Sequence, residues 1–235
     1  MAELADHGIA LVRADNPGPL TLTGTNTWLV EGWVIDPGPA LDGHLDAVAA
    51  AAAAQGGAAG VAITHDHEDH VEGLDALLER IGDVPVVSGR AGAVDGDEDG
   101  PLRVLALPGH SDDHLAFVAG RAAFCGDAVL GEGSVFVAGD LAGYLDGLRR
   151  LRELDLAVLC PGHGDPIWDA DGKLREYVAH RLDREQRLLA ALDRGLSSED
   201  DLLDAAWDDA PPHLRPFAAV SLRAHLEKLR AERRA

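Results

Sequence analysis

The stretch Thr64-His65-Asp66-His67-Glu68-Asp69-His70 sets three imidazoles and a carboxylate within six residues, in the order His-x-His-x-Asp-His. Residues two apart on an extended backbone project to the same side, so His65 and His67 make one pair. Asp69 and His70 follow where the chain can turn into a helix, and make a second. Two such pairs can grip two metal ions a few ångströms apart. A chain with this string has to fold so that further donors reach it.

Three segments can supply them. Each carries a lone His or Asp beside Gly at the end of a short apolar run: Leu105-Ala106-Leu107-Pro108-Gly109-His110, Ala123-Phe124-Cys125-Gly126-Asp127 and Val158-Leu159-Cys160-Pro161-Gly162-His163-Gly164. A strand ending in Pro-Gly or Gly lets the backbone turn sharply and leaves the next side chain at the strand's carboxyl end. Enzyme sites are commonly assembled at such ends.

In this order the four motifs resemble the metallo-β-lactamase superfamily of metal-dependent hydrolases. The resemblance implies that His65, His67 and His110 hold one metal, that Asp69, His70 and His163 hold the other, and that Asp127 bridges them. Imidazole and carboxylate donors suit zinc, so two zinc ions per chain are expected, with other divalent metals allowed. No thiolate-rich set is present, which argues against a structural zinc. The implied nucleophile is a zinc-bound hydroxide, available because zinc brings its water to a pKa of about 7. Asp69 would be the catalytic residue that orients it.

Gly24-Thr25-Asn26-Thr27-Trp28-Leu29-Val30 and Val34-Ile35-Asp36-Pro37-Gly38 resemble the superfamily's opening hairpin. More particular are Pro108-Gly109-His110-Ser111-Asp112-Asp113-His114, Gly126-Asp127-Ala128-Val129-Leu130-Gly131-Glu132-Gly133, and Tyr177-Val178-Ala179-His180-Arg181 with Arg184-Glu185-Gln186. These resemble the β-lactamase-like protein 2 group, which includes endoribonucleases. Phosphodiester hydrolysis of single-stranded RNA is therefore expected, with glyoxalase II-like hydrolysis of small thioesters or other esters as the alternative. Residue 127 bears on the choice: true β-lactamases place Cys or Ser there, whereas aspartate resembles phosphodiesterases and thioesterases. The 36 residues from Asp127 to His163 are too few for the inserted domain of β-CASP nucleases. His114 is expected behind the ligands or facing substrate. Tyr144, and His180 with Arg181 on a helix that reaches the site mouth in this group, are expected at substrate. His7, His44, His213 and His225 are expected at the surface.

At 235 residues the chain holds one full core and a small appendage. Residues 1–172 carry 8 Lys and Arg against 29 Asp and Glu, while residues 173–235 carry 12 of each. So acidic a first part repels polyanions at a distance, although two divalent ions would reverse the sign at the reacting phosphate. The neutral tail weighs against a third reading, a metal-binding regulator with a DNA-binding tail. The start, Met1-Ala2-Glu3-Leu4-Ala5-Asp6, is acidic and unlike a secretory leader. A cytoplasmic protein without a membrane partner is expected; a homo-oligomer is allowed. Cys125 and Cys160 form no Cys-x-x-Cys pair and are expected to be small buried hydrophobes.

Apolar spacing predicts strands over 61–63, 84–87, 104–107, 116–118, 122–125 and 157–159, with a two-strand turn over 20–36. It predicts helices over 45–54, 71–81, 141–154 and 173–194, then Ser197 capping a helix over 199–207, and one or two more after residue 213. Strands interleaved with helices imply an α/β sandwich, and the resemblance implies the four-layer αββα form. The expected division is a catalytic domain, 1–172, and a helical, winged-helix-like unit, 173–235, with the wing missing or rudimentary.

Overall fold

The computed structural model describes residues 2–232. Two five-stranded sheets face each other. The first runs β1 (Ile9–Arg13), β2 (Asn26–Val30), β3 (Trp33–Ile35), β4 (Gly60–Ala62), β5 (Val86–Val87) in chain order. Its first three strands are antiparallel, and β3, β4 and β5 are parallel. The second contains β6 (Glu98–Asp99), β7 (Leu102–Ala106), β8 (Leu115–Ala119), β9 (Ala122–Gly126) and β10 (Val158–Pro161), in the order β10-β9-β8-β7-β6. Only β9 and β10 are parallel in it.

Strand alternation sorts the side chains into layers. Trp28, Val30, Trp33 and Ile35 of the first sheet meet Leu115, Phe117, Ala122 and Phe124 of the second in the central layer. Their neighbours Leu29, Val34 and Val61 point outward, under Leu45 and Val48 of α2 (Asp42–Ala54) and Leu77 of α4 (Leu74–Ile81). On the opposite side Ala116, Val118, Ala123 and Cys125 lie under Leu141, Tyr144, Leu145 and Leu148 of α5 (Leu141–Arg152), and under Leu174 and Tyr177 of α6 (Ala170–Asp193). This is the αββα sandwich. A short α1 (Ala2–Asp6) precedes β1, and α3 (Glu68–Val71) precedes α4. Cys125 and Cys160 are buried free thiols.

The helix expected over 71–81 is broken. A side chain at Gly73 would meet Leu45 Cδ2 at 2.7 Å and the Gly38 carbonyl oxygen at 2.9 Å, so the chain passes too close to the 38–39 turn for any other residue. The break separates α3, which carries the second half of the His-Asp string, from α4, which belongs to the outer layer.

The tail is all helical, and among the described residues no strand follows β10. Leu188 and Ala191 of α6 pack with Leu202 and Leu203 of α7 (Glu199–Ala206), with Trp207, and with Leu222 and Leu229 of α8 (Arg215–Ala231). The cap of α7 is Ser198 rather than Ser197: its hydroxyl accepts from Asp201 N at 3.2 Å. The expected boundary at residue 172 falls in the first turn of α6, whose two halves serve different cores.

The sheets are joined tightly at one end. Trp28 Nε1 donates to the Pro161 carbonyl at 2.9 Å. Asn26 Nδ2 donates to the Pro161 and Gly164 carbonyls at 3.0 and 2.8 Å, and Leu115 N donates to Thr64 O at 2.7 Å. These bonds bring the carboxyl ends of β4, β7, β9 and β10 together.

Candidate metal centre

His65 follows β4, His110 follows β7, Asp127 ends β9, and His163 follows β10. All seven donors expected from the sequence meet here, in two groups. In the first, His65 Nε2 lies 2.9 Å from His67 Nδ1, His110 Nε2 lies 3.1 Å from His67 Nδ1, and Asp127 Oδ2 lies 3.7 Å from His110 Nε2. In the second, Asp69 Oδ2 lies 3.5 Å from His70 Nε2 and 3.3 Å from His163 Nε2. Asp127 joins them, with Oδ2 3.3 Å from His163 Nε2 and Oδ1 3.6 Å from His70 Nε2.

These spacings fit metal ions. Two donors on a tetrahedral zinc, with bonds of about 2.0–2.1 Å, stand about 3.3–3.4 Å apart. His70 Nε2 and Asp127 Oδ1 are buried and lack a hydrogen-bond partner, and 3.6 Å is too long for a bond between them. Two orphaned donors facing each other at that distance suit a shared cation. Gly162 keeps the space open: a side chain there would meet Asp127 Oδ1 at 2.3 Å and His70 Cε1 at 2.6 Å.

One carboxylate behind the donors sets their protonation. Asp36 is buried, and its backbone sits at φ 55°, a left-handed conformation that a non-glycine residue adopts at a cost. It accepts from Thr64 N at 2.7 Å, Thr64 Oγ1 at 2.8 Å and His70 Nδ1 at 2.9 Å. The Thr64 hydroxyl proton is thus committed to Asp36, and its oxygen accepts from His65 Nδ1 at 2.9 Å. Both rings are thus anchored through Nδ1 and turn Nε2 toward the clusters, leaving that nitrogen as the one to ligate metal.

Burial and charge order the rest. Burial drives His65 well below the usual imidazole range and His110 down to about 4, so both stay neutral. Burial also opposes charge on His70, but Asp127 and Asp36 outweigh it and raise His70. Asp127 is held well below the carboxylate range by His70 and His163, against its own burial.

The profile of the metallo-β-lactamase superfamily matches residues 80–163, and that of the beta-lactamase associated winged helix domain matches residues 198–235. The chain is 30% identical over 253 residues to the beta-lactamase-like protein 2 homolog of Caenorhabditis elegans, covering 97% of this chain and 85% of that one. It belongs to the metallo-β-lactamase superfamily. A lactamase-like protein of Trichophyton rubrum is 35% identical over 80% of this chain, which spans 63% of that relative's length. A crystal structure of a metallo-β-lactamase family protein from Thermus thermophilus superposes with a TM-score of 0.69 at 25% identity, covering 96% of this chain and 94% of that one.

Within this metallo-β-lactamase fold, Tyr144 and Arg181 are closed off inside the packing, and His114 takes the expected place behind the ligands. Tyr144 is 0% exposed; its hydroxyl donates to the Ala128 carbonyl at 2.6 Å, inside the layer under α5. Arg181 is 2% exposed and donates to Ser134 Oγ at 3.0 Å and to the Val135 carbonyl, with its guanidinium over the Tyr144 ring. It anchors the 130–139 segment from behind. His114 is buried flat against His65, with ring centroids 4.9 Å apart, and so backs a ligand. His180 is half-buried beside Arg184, whose Nε lies 3.3 Å from His180 Nε2, and near Asp209 and His225; burial pushes it down to about 4. Its contacts are with α6 and the tail. His7 and His213 are exposed as expected, but His44 and His225 are buried. His44 Nε2 contacts Thr27 Oγ1 at 3.0 Å and Pro37 O at 3.1 Å. His225 contacts the Ser221 and Arg181 carbonyls at 2.8 and 3.2 Å.

Proposed function

We propose that this protein is a two-metal hydrolase of small, uncharged esters or thioesters. The observation that carries the hydrolase reading is the convergence of two donor groups on Asp127. Its substrate class rests on the pairing of cations beside the His-Asp string and in the tail. Arg13 is bound to Asp165 at 2.9 Å and Arg90 to Asp66 at 2.6 Å. In the tail, Arg184, Arg187, Arg215, Arg223 and Lys228 are each held by a carboxylate. A groove that tracks a phosphate backbone needs cations free to meet it.

His65, His67, His110 and Asp127 would hold one ion, Asp69, His70 and His163 the other, with Asp127 between them. Five imidazoles and two carboxylates suit zinc, and iron also accepts such a set. When bound, the ions lower the pKa of water into the neutral range and polarise the substrate carbonyl. The chain's own groups do the rest. Thr25 Oγ1 donates to Asp69 Oδ2 at 2.8 Å and accepts from Asn16 Nδ2 at 2.9 Å, so the carboxylate cannot swing away. Asp69 Oδ1 would be left to accept the proton of the attacking water and to return it to the leaving oxygen or sulfur. His67, the exposed donor, marks the open side where substrate enters.

A second reading, cleavage of single-stranded RNA, draws on the likeness to the nematode beta-lactamase-like protein 2 homolog. The test is metal-loaded protein assayed in parallel on acyl-thioesters and on short RNA, with Asp69→Ala beside wild type. Thioester turnover that Asp69→Ala abolishes while metal stays bound supports the proposal. RNA cleavage without thioester turnover refutes it in favour of the second reading.

A further inference from the structure

Four rings run in sequence from the exposed donor to the tail. His67 meets His110 at 4.7 Å between centroids, edge-on at 81°. Phe136 meets His110 at 5.1 Å and 50°. Phe217 of α8 meets Phe136 at 5.2 Å and 30°, close to parallel. Phe136 rides on the 130–139 segment, which Arg181 holds from α6 and Ser221 holds from α8, its Oγ accepting from Val137 N at 3.1 Å. The tail thus both fixes Phe136 and supplies its partner.

Rings that serve only to pack the tail against this segment would be expected to be enclosed, as Tyr144 and Trp207 are. Phe136 and Phe217 are only half-buried. Leaving large apolar rings partly wet costs burial energy that full enclosure would recover. A near-parallel pair with open ring surface is the arrangement that a further planar group joins by offset stacking.

We propose that Phe136 and Phe217 form the wall that receives the acyl part of the substrate, and that this wall selects a planar aromatic acyl group over a flexible alkyl one. The proposal rests on the ester-hydrolase reading for its chemistry, and on the ring geometry alone for its selectivity. Phe217 is then a specificity-determining residue contributed by the winged-helix-like unit.

The test uses the full chain in four forms: wild type, Phe136→Leu, Phe217→Leu and Phe217→Trp. Leucine keeps apolar bulk and removes the ring; tryptophan keeps a ring. With metal loaded, kcat/KM is measured for the 2-naphthoyl and butanoyl thioesters of one thiol. Independently of turnover, saturation-transfer NMR measures binding of 2-naphthamide against butanamide, and intermolecular NOEs locate the probe. The aryl-over-alkyl ratio should fall about two- to tenfold in either leucine variant and hold in Phe217→Trp. Binding of 2-naphthamide should weaken in parallel, and wild type should show NOEs to both phenylalanine rings. Leucine variants with the wild-type ratio and wild-type probe binding overturn the proposal. So does the absence of those NOEs, even if a variant fails to fold. Wild type that binds 2-naphthamide at the rings yet hydrolyses neither thioester sinks the ester reading while leaving the aromatic wall in place.

Discussion

Asp36→Asn isolates the proton logic of the centre with almost no change in shape. Asn Oδ1 can still accept from Thr64 N, now at 2.7 Å from Asp36. The amide nitrogen then replaces the oxygen that takes bonds from Thr64 Oγ1 at 2.8 Å and His70 Nδ1 at 2.9 Å. An amide nitrogen only donates, so His70 must accept on Nδ1 and carry its proton on Nε2. That proton points at Asp69 and Asp127 and blocks the donor position. The Thr64 hydroxyl loses its acceptor, and the relay to His65 loses its direction as well. Substitution of a group that orients a ligand typically costs 10–100-fold in metal affinity, about 1.4–2.7 kcal/mol. Because Asp36 serves a ligand in each group, both ions should be weakened. The assay is competition with a chromogenic chelator, with circular dichroism confirming the fold. Thr64→Val is the comparison: it cuts the path to His65 and leaves the Asp36–His70 bond, so loss should concentrate in one ion. Two ions bound by Asp36→Asn within twofold of wild-type affinity would refute the reasoning.

Gly162→Ala should abolish stable metal loading while the secondary structure survives, since the methyl falls 2.3 Å from Asp127 Oδ1; elemental analysis after gel filtration reads the result. Arg181→Ala should cost about 2–3 kcal/mol in urea unfolding, the worth of bonds made by a buried charged donor, and should speed hydrogen exchange across residues 130–139. Normal protection there would show the segment to be held by other means. His225 carries a pH dependence: burial lowers it to about 4 from 6.5, so the unfolded chain takes up its proton first as pH falls. Its contribution is intact above pH 6.5 and erodes below it, by about 2 kcal/mol at pH 5. His225→Gln should remove that slope from a pH series of melts; an unchanged slope would assign it to other groups.

The metal donors were legible because each sits in a short string with its own signature. Five stand at strand ends beside Gly or in the His-x-His run, where local geometry alone fixes their direction. Asp36 carries the same mark, an acid after Trp33-Val34-Ile35 and before Pro37-Gly38. Its task was not visible because its partners Thr64 and His70 lie 28 and 34 residues away. His225 lies between Leu222 and Leu229 at helical spacing, and His44 lies one turn before Val48, so their burial was readable from periodicity. Residue type suggested the surface, and the face of the helix decided otherwise. The expectation of His180 and Arg181 at substrate rests on likeness of sequence strings, and that of Tyr144 on residue type alone. The partners of Tyr144 and Arg181, the Ala128 carbonyl, the Ser134 hydroxyl and the Val135 carbonyl, depend on tertiary packing that no local pattern encodes, whereas Arg184 lies one helical turn from His180 and was readable from spacing. Strand β1 lies outside the expected strands although Ile9-Ala10-Leu11-Val12 follows Gly8 as a plain apolar run.

Helix α6 is one continuous rod of 24 residues whose first half belongs to the sandwich and whose second half belongs to the tail. The rod therefore belongs to both parts at once. A C-terminal unit exchanged after Gly195 would keep the Tyr177 and Arg181 anchors, but it would have to fit the face that Leu188 and Ala191 present. Drift in the tail is transmitted inward: a substitution near Leu222 or Trp207 bears on the far half of the rod and, through Arg181, on the 130–139 segment, with every metal donor left untouched.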